Sequence, residues 1–292
     1  MTKLIERSVM GLAARLPRGG YAVARLASRI LPGLRNYPAR LPFTSVPLRG
    51  DVALNVFYPL AVKGYYGHQL AEDDLFALLA REATCIVDVG ANIGFTAALF
   101  ATFAPPSCRI LAYEPLPRCR PFLDQVTAAW PNVEVRAKAV GARDEVAQFV
   151  ERRNLDRSSI AGKGDPDAVT GTVEVPVVTL DRDLSGVNVD VLKIDVEGFE
   201  AAVIEGAREL IRTSRPCVVF EAYEIDVRDQ CWAFFQDMGD AYELFVIGER
   251  GTLVPVEKAV GRDDVTCNFA AWPRHRPKPD ALRVPAAYRI GG

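Results

Sequence analysis

Apolar residues recur along this chain at two spacings. Short, nearly unbroken runs of Val, Ile, Leu and Cys alternate with longer stretches whose apolar residues return every three or four positions. The runs predict strands buried on both faces, and the longer stretches predict the helices that cover them. Cys85–Val89, Arg109–Tyr113, Val133–Arg136, Val191–Ile194 and Pro216–Phe220 read as strands. Phe95–Phe103, Pro117–Ala129, Phe199–Ile211 and Val227–Met238 read as the helices around them. Ala71–Arg81 reads as a further helix, with Glu72, Asp73 and Asp74 in its first turn, where the helix dipole favours acids. Tyr242–Ile247 and Val265–Ala271 read as an antiparallel pair that closes the sheet. Val52–Tyr58 alternates in part and predicts a strand, as does Asp144–Val150. Thr172–Thr179 predicts an edge strand, because Pro176 has no N–H to give a central one. Residues 151–171 are polar, rich in Gly, Ser and Asp, and too long for a plain connector, so they predict a flap.

The ends differ from this middle. Within residues 1–41, Lys3, Arg7, Arg15, Arg18, Arg25, Arg29, Arg35 and Arg40 face a single acid, Glu6. Ile5, Val9, Leu12 and Leu16 gather on one helical face, and Val23, Leu26 and Ile30 repeat the scheme after Pro17 and Gly19-Gly20. A basic amphipathic pair over residues 1–31 suits an anionic membrane surface. Its narrow apolar faces, without Trp or Phe, favour instead an arm packed on its own domain or on a second subunit. Residues 42–83 read as a cap on the substrate side, 84–272 as the cofactor-binding domain, and 273–292 as a Pro-rich tail. The net charge of −2 gives no global electrostatic case for nucleic acid. Six scattered cysteines without a C-x-x-C predict reduced core residues of a cytoplasmic protein rather than disulfides or a zinc site. His68 and His275 are too few and too distant for a metal cluster. His68 reads first as a surface or structural residue, although its ordinary pKa suits a general base.

Candidate chemistry begins at the end of the first central strand. Asp88, Gly90, Asn92 and Gly94 form a strand–turn–helix corner in which glycines admit a ligand close to the backbone. The spacing is D-x-G-x-N-x-G rather than the dinucleotide G-x-G-x-x-G, and an acid there would repel a pyrophosphate. It would suit the ammonium and sulfonium of S-adenosylmethionine. Glu114 ends the next strand 20 residues beyond Gly94, the interval at which an acid accepts hydrogen bonds from ribose hydroxyls. A structural βα turn and a solvated glutamate are the plainer alternatives.

A second dense stretch, Val189–Glu200, repeats the design. Asp195 marks the end of a central strand, on the same rim as Asp88 and Glu114. Lys193 within that strand needs a partner, either Asp195 or an acid of the neighbouring strand. Glu221 ends the strand after it. Glu200 and Glu205 read as solvated helix residues.

Taken together, VDVGANIGFTA, YEP at 113–115, VTLD at 178–181, LKIDVEGFEAAVIEGA at 192–207 and FEAY at 220–223 resemble the FkbM family of S-adenosylmethionine-dependent methyltransferases. The resemblance covers about residues 84–272. It implies a Rossmann-like sheet of seven strands, mostly parallel with an antiparallel last strand. It also implies O-methylation of a hydroxyl on a sugar, a glycan or a polyketide-type product. Carried over residue by residue, it puts Asp88, Gly90, Asn92 and Gly94 at the methionine part, Glu114 at the ribose, and Ala139 and Val140 near the adenine. An alcohol is a poor nucleophile, so a base must take its proton. Asp195 is the first candidate, Glu197 the second and Glu221 a supporting one, with no metal called for. The competing readings are a nicotinamide-dependent oxidoreductase on a similar fold and a non-catalytic adapter. The acceptor and the oligomeric state are not read from the sequence, a homo-oligomer being compatible with it.

Overall fold

A computed structural model of the protein describes residues 2–16, 18–65, 70–152, 159–160, 169–248, 252–259 and 267–278. His68, most of the expected flap and the tail beyond residue 278 lie outside the described residues. Two helices open the chain, α1 (Thr2–Arg15) and α2 (Gly20–Ser28). They pack on the body through Glu6, Met10 and Ala13 of α1 and through Gly20, Ala24 and Ser28 of α2. The expected apolar stripe is therefore not the packing face, since Ile5, Leu12 and Leu16 stay exposed. Close approach explains the choice: a Cβ on Gly20 would lie 2.2 Å from the Ala13 carbonyl oxygen. Only small side chains fit there.

Strands β1 (Tyr37–Ala39) and β2 (Leu48–Gly50) pair antiparallel ahead of the main sheet. The strand expected over Val52–Tyr58 is absent. Asp51 Oδ1 accepts the Ala53 N–H at 2.8 Å and turns the chain. Val52, Val56, Phe57 and Leu60 are then buried at helical rather than alternating spacing, leading into α3 (Tyr58–Lys63). Helix α4 (Leu70–Ala80) ends just before the first sheet strand, β3 (Cys85–Val89).

From there strands and helices alternate. Helix α5 (Phe95–Phe103), β4 (Arg109–Tyr113), α6 (Arg120–Ala129) and β5 (Val133–Arg136) match the sequence expectation closely. A second, separate sheet follows, made of β6 (Ala139–Val140), β7 (Glu145–Arg152), β8 (Ser159–Ile160) and β9 (Val169–Val178) in the order β6-β9-β7-β8. The chain returns through α7 (Leu180–Asp183) to β10 (Val191–Ile194), then α8 (Glu200–Glu205), α9 (Arg208–Ser214) and β11 (Cys217–Glu221). The helix expected over Phe199–Ile211 is thus two. At the break, Gly206 touches the second sheet so closely that a Cβ would lie 1.9 Å from the Gly141 carbonyl oxygen. Helix α10 (Ile225–Asp237), β12 (Tyr242–Ile247), β13 (Leu253–Pro255), α11 (Val256–Ala259) and β14 (Asn268–Pro273) complete the described chain.

The main sheet has the order β5-β4-β3-β10-β11-β14-β12, with the short β13 added at the edge. Strands β5 to β11 run parallel, and β14 lies antiparallel between β11 and β12. This is the expected Rossmann-like sheet of seven strands plus one edge strand. The period of two sorts its side chains into two cores. Ile86, Ile110, Ala112, Val191 and Val219 face α4, α5 and α6. Val87, Val89, Leu111, Leu192, Ile194 and Phe220 face α8, α9 and α10. Asp190 fixes the start of the sheet, its Oδ2 accepting the Thr84 N–H at 2.6 Å and the Cys85 N–H at 3.0 Å. All six cysteines are free, five of them buried. No helix among the described residues is long and apolar enough to cross a membrane.

Candidate active site

Parallel neighbours end at the same rim, so β4, β3, β10 and β11 bring their terminal acids together. In register, Lys193 of β10 stands beside Asp88 of β3. Its ammonium lies 3.0 Å from Asp88 Oδ1 and 3.6 Å from Asp195 Oδ2, and it donates to the Gly90 carbonyl oxygen at 2.9 Å. Both partners expected for Lys193 are thus present. Burial works to lower the Lys193 pKa, but the carboxylates of Asp88 and Asp195 outweigh it and raise it. Asp88 is fully buried, on the sheet face covered by α4 and α5, and burial raises its carboxyl above the usual range. It has no surface on the rim, so in this structure it holds Lys193 rather than lining a ligand site.

The glycine turn is built for close approach. Gly90 has φ 79° and Gly94 φ 80°, both left-handed. A Cβ on Gly90 would lie 1.8 Å from the Asp195 carbonyl oxygen, so no other residue lets the β3 and β10 ends meet as they do. Asn92, at φ 49°, donates its N–H to Glu114 Oε2 at 2.9 Å, and Leu116 donates to Glu114 Oε1 at 2.9 Å. Burial pushes Glu114 up to about 7 against those two hydrogen bonds. Glu114 therefore clamps the glycine turn to the end of β4. Ala139 and Val140 are buried in β6, paired with Val177 and Val178, and offer little side-chain surface.

On the other side, Asp195 is partly exposed, and Glu221 follows on β11. Burial and the charge of Asp195 push Glu221 up to about 7, and the Cys267 thiol donates to its Oε1 at 3.4 Å. Glu197 lies exposed on the turn after β10 at φ 53°. Glu200 departs from expectation. It is 1% exposed, and its Oε1 accepts the Val196 N–H at 3.2 Å and the Gly198 N–H at 3.1 Å, fixing the turn that carries Asp195 and Glu197. Glu205 is half exposed and pairs with Arg208.

One rim residue escaped the sequence reading. Helix α4 is about as long as β3, roughly 16 Å each. Because α4 ends where β3 begins, its first turn rises to the rim. Glu72 there is 8% exposed, and its Oε1 has no hydrogen-bond partner. Burial, then Glu221, Asp195 and Asp73, raise its pKa well above the ordinary value, while Lys193 opposes them. The sequence signal was present, since Glu72 stands in the acidic first turn of α4, but the dipole accounted for it.

The residues fit S-adenosylmethionine. Asp195 and Glu221 are partly exposed at the rim, and Glu72, almost buried beside them, has a carboxyl oxygen without a hydrogen-bond partner. Such a rim favours a ligand bearing positive charge. No group of three or more His, Cys, Asp or Glu arranged to hold a metal ion occurs among the described residues. Strand order and glycine turn are those of a Rossmann-like sheet, with the acids of β3, β4, β10 and β11 gathered at one rim.

A family model described as the methyltransferase FkbM domain matches residues 88–246. The match spans more than half of the chain, and the chain belongs to this family. Among solved structures, a methyltransferase FkbM from Methylobacillus flagellatus KT aligns at 16% identity and a TM-score of 0.46. That alignment covers 91% of this chain, which spans only 58% of the other. The O-methyltransferase TomG from Streptomyces achromogenes, solved with its cofactor, aligns at 15% identity and a TM-score of 0.42, covering 74% of this chain and 84% of that one. An S-adenosylmethionine-dependent O-methyltransferase from Thermotoga maritima aligns at 14% identity and 0.39, covering 73% and 68%. No curated protein matches the chain.

Proposed function

We propose that this chain methylates a hydroxyl oxygen of a sugar, a glycan or a polyketide-type product, with Asp195 as the base. The observation that carries the reading is the acid group at the rim. Asp195 lies partly exposed between Lys193 beneath it and Glu221 beside it, where an acceptor oxygen can approach. When bound, S-adenosylmethionine supplies a methyl carbon on a positively charged sulfur. The glycine turn at Gly90, Asn92 and Gly94 would hold its methionine part, and Glu114 would accept from its ribose. Asp195 would accept the proton that the acceptor hydroxyl must lose on methylation. Lys193 keeps Asp195 and Asp88 oriented without entering the reaction. Glu72 and Glu221 flank the acceptor with further hydrogen-bonding oxygens.

The test is a labelled-methyl transfer assay on glycolipid and glycan extracts, with calorimetric titration of S-adenosylhomocysteine against NAD. Asp195→Asn is expected to lose about 10²- to 10⁴-fold in turnover while still binding S-adenosylhomocysteine. Undiminished turnover would remove Asp195 as base, and binding of NAD alone would favour the oxidoreductase alternative.

A further inference from the structure

The outward surface of α1 and α2 plays no part in the site. Its apolar residues are strongly exposed: Leu4 is 70% exposed, Leu12 57%, Leu26 60% and Ile30 75%. Ile5 and Leu12 of α1 and Leu16 just past it are spaced by seven and four, and Leu26 of α2 and Ile30 just past it, four apart, add a second exposed pair. Lys3, Arg7, Arg15, Arg18, Arg25 and Arg29 are also exposed in the same stretch. The only acid of the first 40 residues, Glu6, points inward: a Cβ on Gly33 would lie 2.1 Å from its Oε1. The outer face is therefore apolar and basic without a compensating acid. Those 40 residues carry +7 against −2 for the whole chain, leaving −9 on the remainder.

We propose that α1 and α2 form a peripheral anchor that lies on an anionic lipid bilayer, with Leu12, Leu16, Leu26 and Ile30 in the acyl boundary and the arginines among the headgroups. The charge separation would turn the acidic body away and the arm toward the lipid. A second copy fits less well, because a two-fold contact through this face would set arginines against arginines. A nucleic acid would use the arginines but leave the leucines and isoleucines in water. The proposal is independent of the reaction assigned above.

Flotation of the full chain decides it, with vesicles of phosphatidylcholine and phosphatidylserine in equal parts against vesicles of phosphatidylcholine alone. Recovery is expected to be at least about tenfold higher on the anionic vesicles and to fall in concentrated salt. Leu12→Ser with Ile30→Ser, and separately Arg25→Gln with Arg29→Gln, should each reduce it about tenfold. These side chains are exposed, so thermal melting should stay at the wild-type value and certify the fold. Equal recovery on the two vesicle types, or variants that float as well as wild type, would overturn the anchor. A concentration-dependent dimer that these variants dissolve, without flotation, would give the face to a second copy instead.

Discussion

Single side chains at the rim carry testable chemistry. Glu221 is held at about 7 by burial and by Asp195, so its carboxyl loses its proton near neutrality. A base that must accept the hydroxyl proton works better once that proton has left. The rate at low acceptor is therefore expected to rise between about pH 6 and pH 8. Glu221→Gln should remove the inflection, which a pH profile of kcat/KM would show. Burial and its neighbours raise Glu72 well above the ordinary carboxyl range, which favours its neutral form. Glu72→Gln should then change little, whereas Glu72→Ala should raise the acceptor KM about tenfold, the worth of one lost hydrogen bond. Initial rates over acceptor concentration separate the two. The residue scale is also where the sequence was read least well. Asp88, Asp195 and Lys193 were legible because charge inside an apolar strand demands an explanation. Glu72 and Glu200 were not, because an acid at a helix start already has one in the dipole. Their burial depends on what packs over them, and no local pattern encodes it.

Elements were more legible. The unbroken apolar runs of β3, β4, β10 and β11 survive because each of these strands must bury both faces. Partners remote in sequence do not interfere with that pattern. Val52–Tyr58 misled because partial alternation over seven residues also suits a turn followed by a helix, and Asp51 closes that turn. The break between α8 and α9 was hidden because Gly206 is required by a carbonyl of another sheet. Asp181, in the VTLD stretch, holds another helix: its Oδ2 and Oδ1 accept the Glu209 and Leu210 N–H groups at 3.0 and 2.8 Å, at the start of α9. Asp181→Ala is expected to lower stability by about 1 kcal/mol, measured by urea denaturation, with cofactor binding retained.

At the scale of the molecule, an ion network ties β4 and β5 of the main sheet to α7, the helix that follows the second sheet. The Asp183 carboxylate accepts from the Tyr113 hydroxyl at 2.6 Å and from Lys138 at 2.8 Å, and it pairs with Arg136. Burial acts against it, but hydrogen bonds from Lys138, Tyr113 and Arg136 hold Asp183 down at about 2. Its folded-state pKa lies below the unfolded value of about 3.9, so its contribution is present above that pH and is lost as pH falls toward 2. After discounting for solvent screening, the loss should be about 1 kcal/mol. Asp183→Asn should flatten the acid limb of stability measured between those limits.

The position of β14 bears on how the protein is made. It is the last described strand, yet it fills the slot between β11 and β12, which leave the ribosome before it. Until that segment emerges, the half-built sheet has a gap in its middle, and Glu221 lacks its neighbour Cys267. Ribosome-bound chains that stop short of residue 267 should therefore stay open to protease and fail to retain the methyl donor, and maturation should come in one late step.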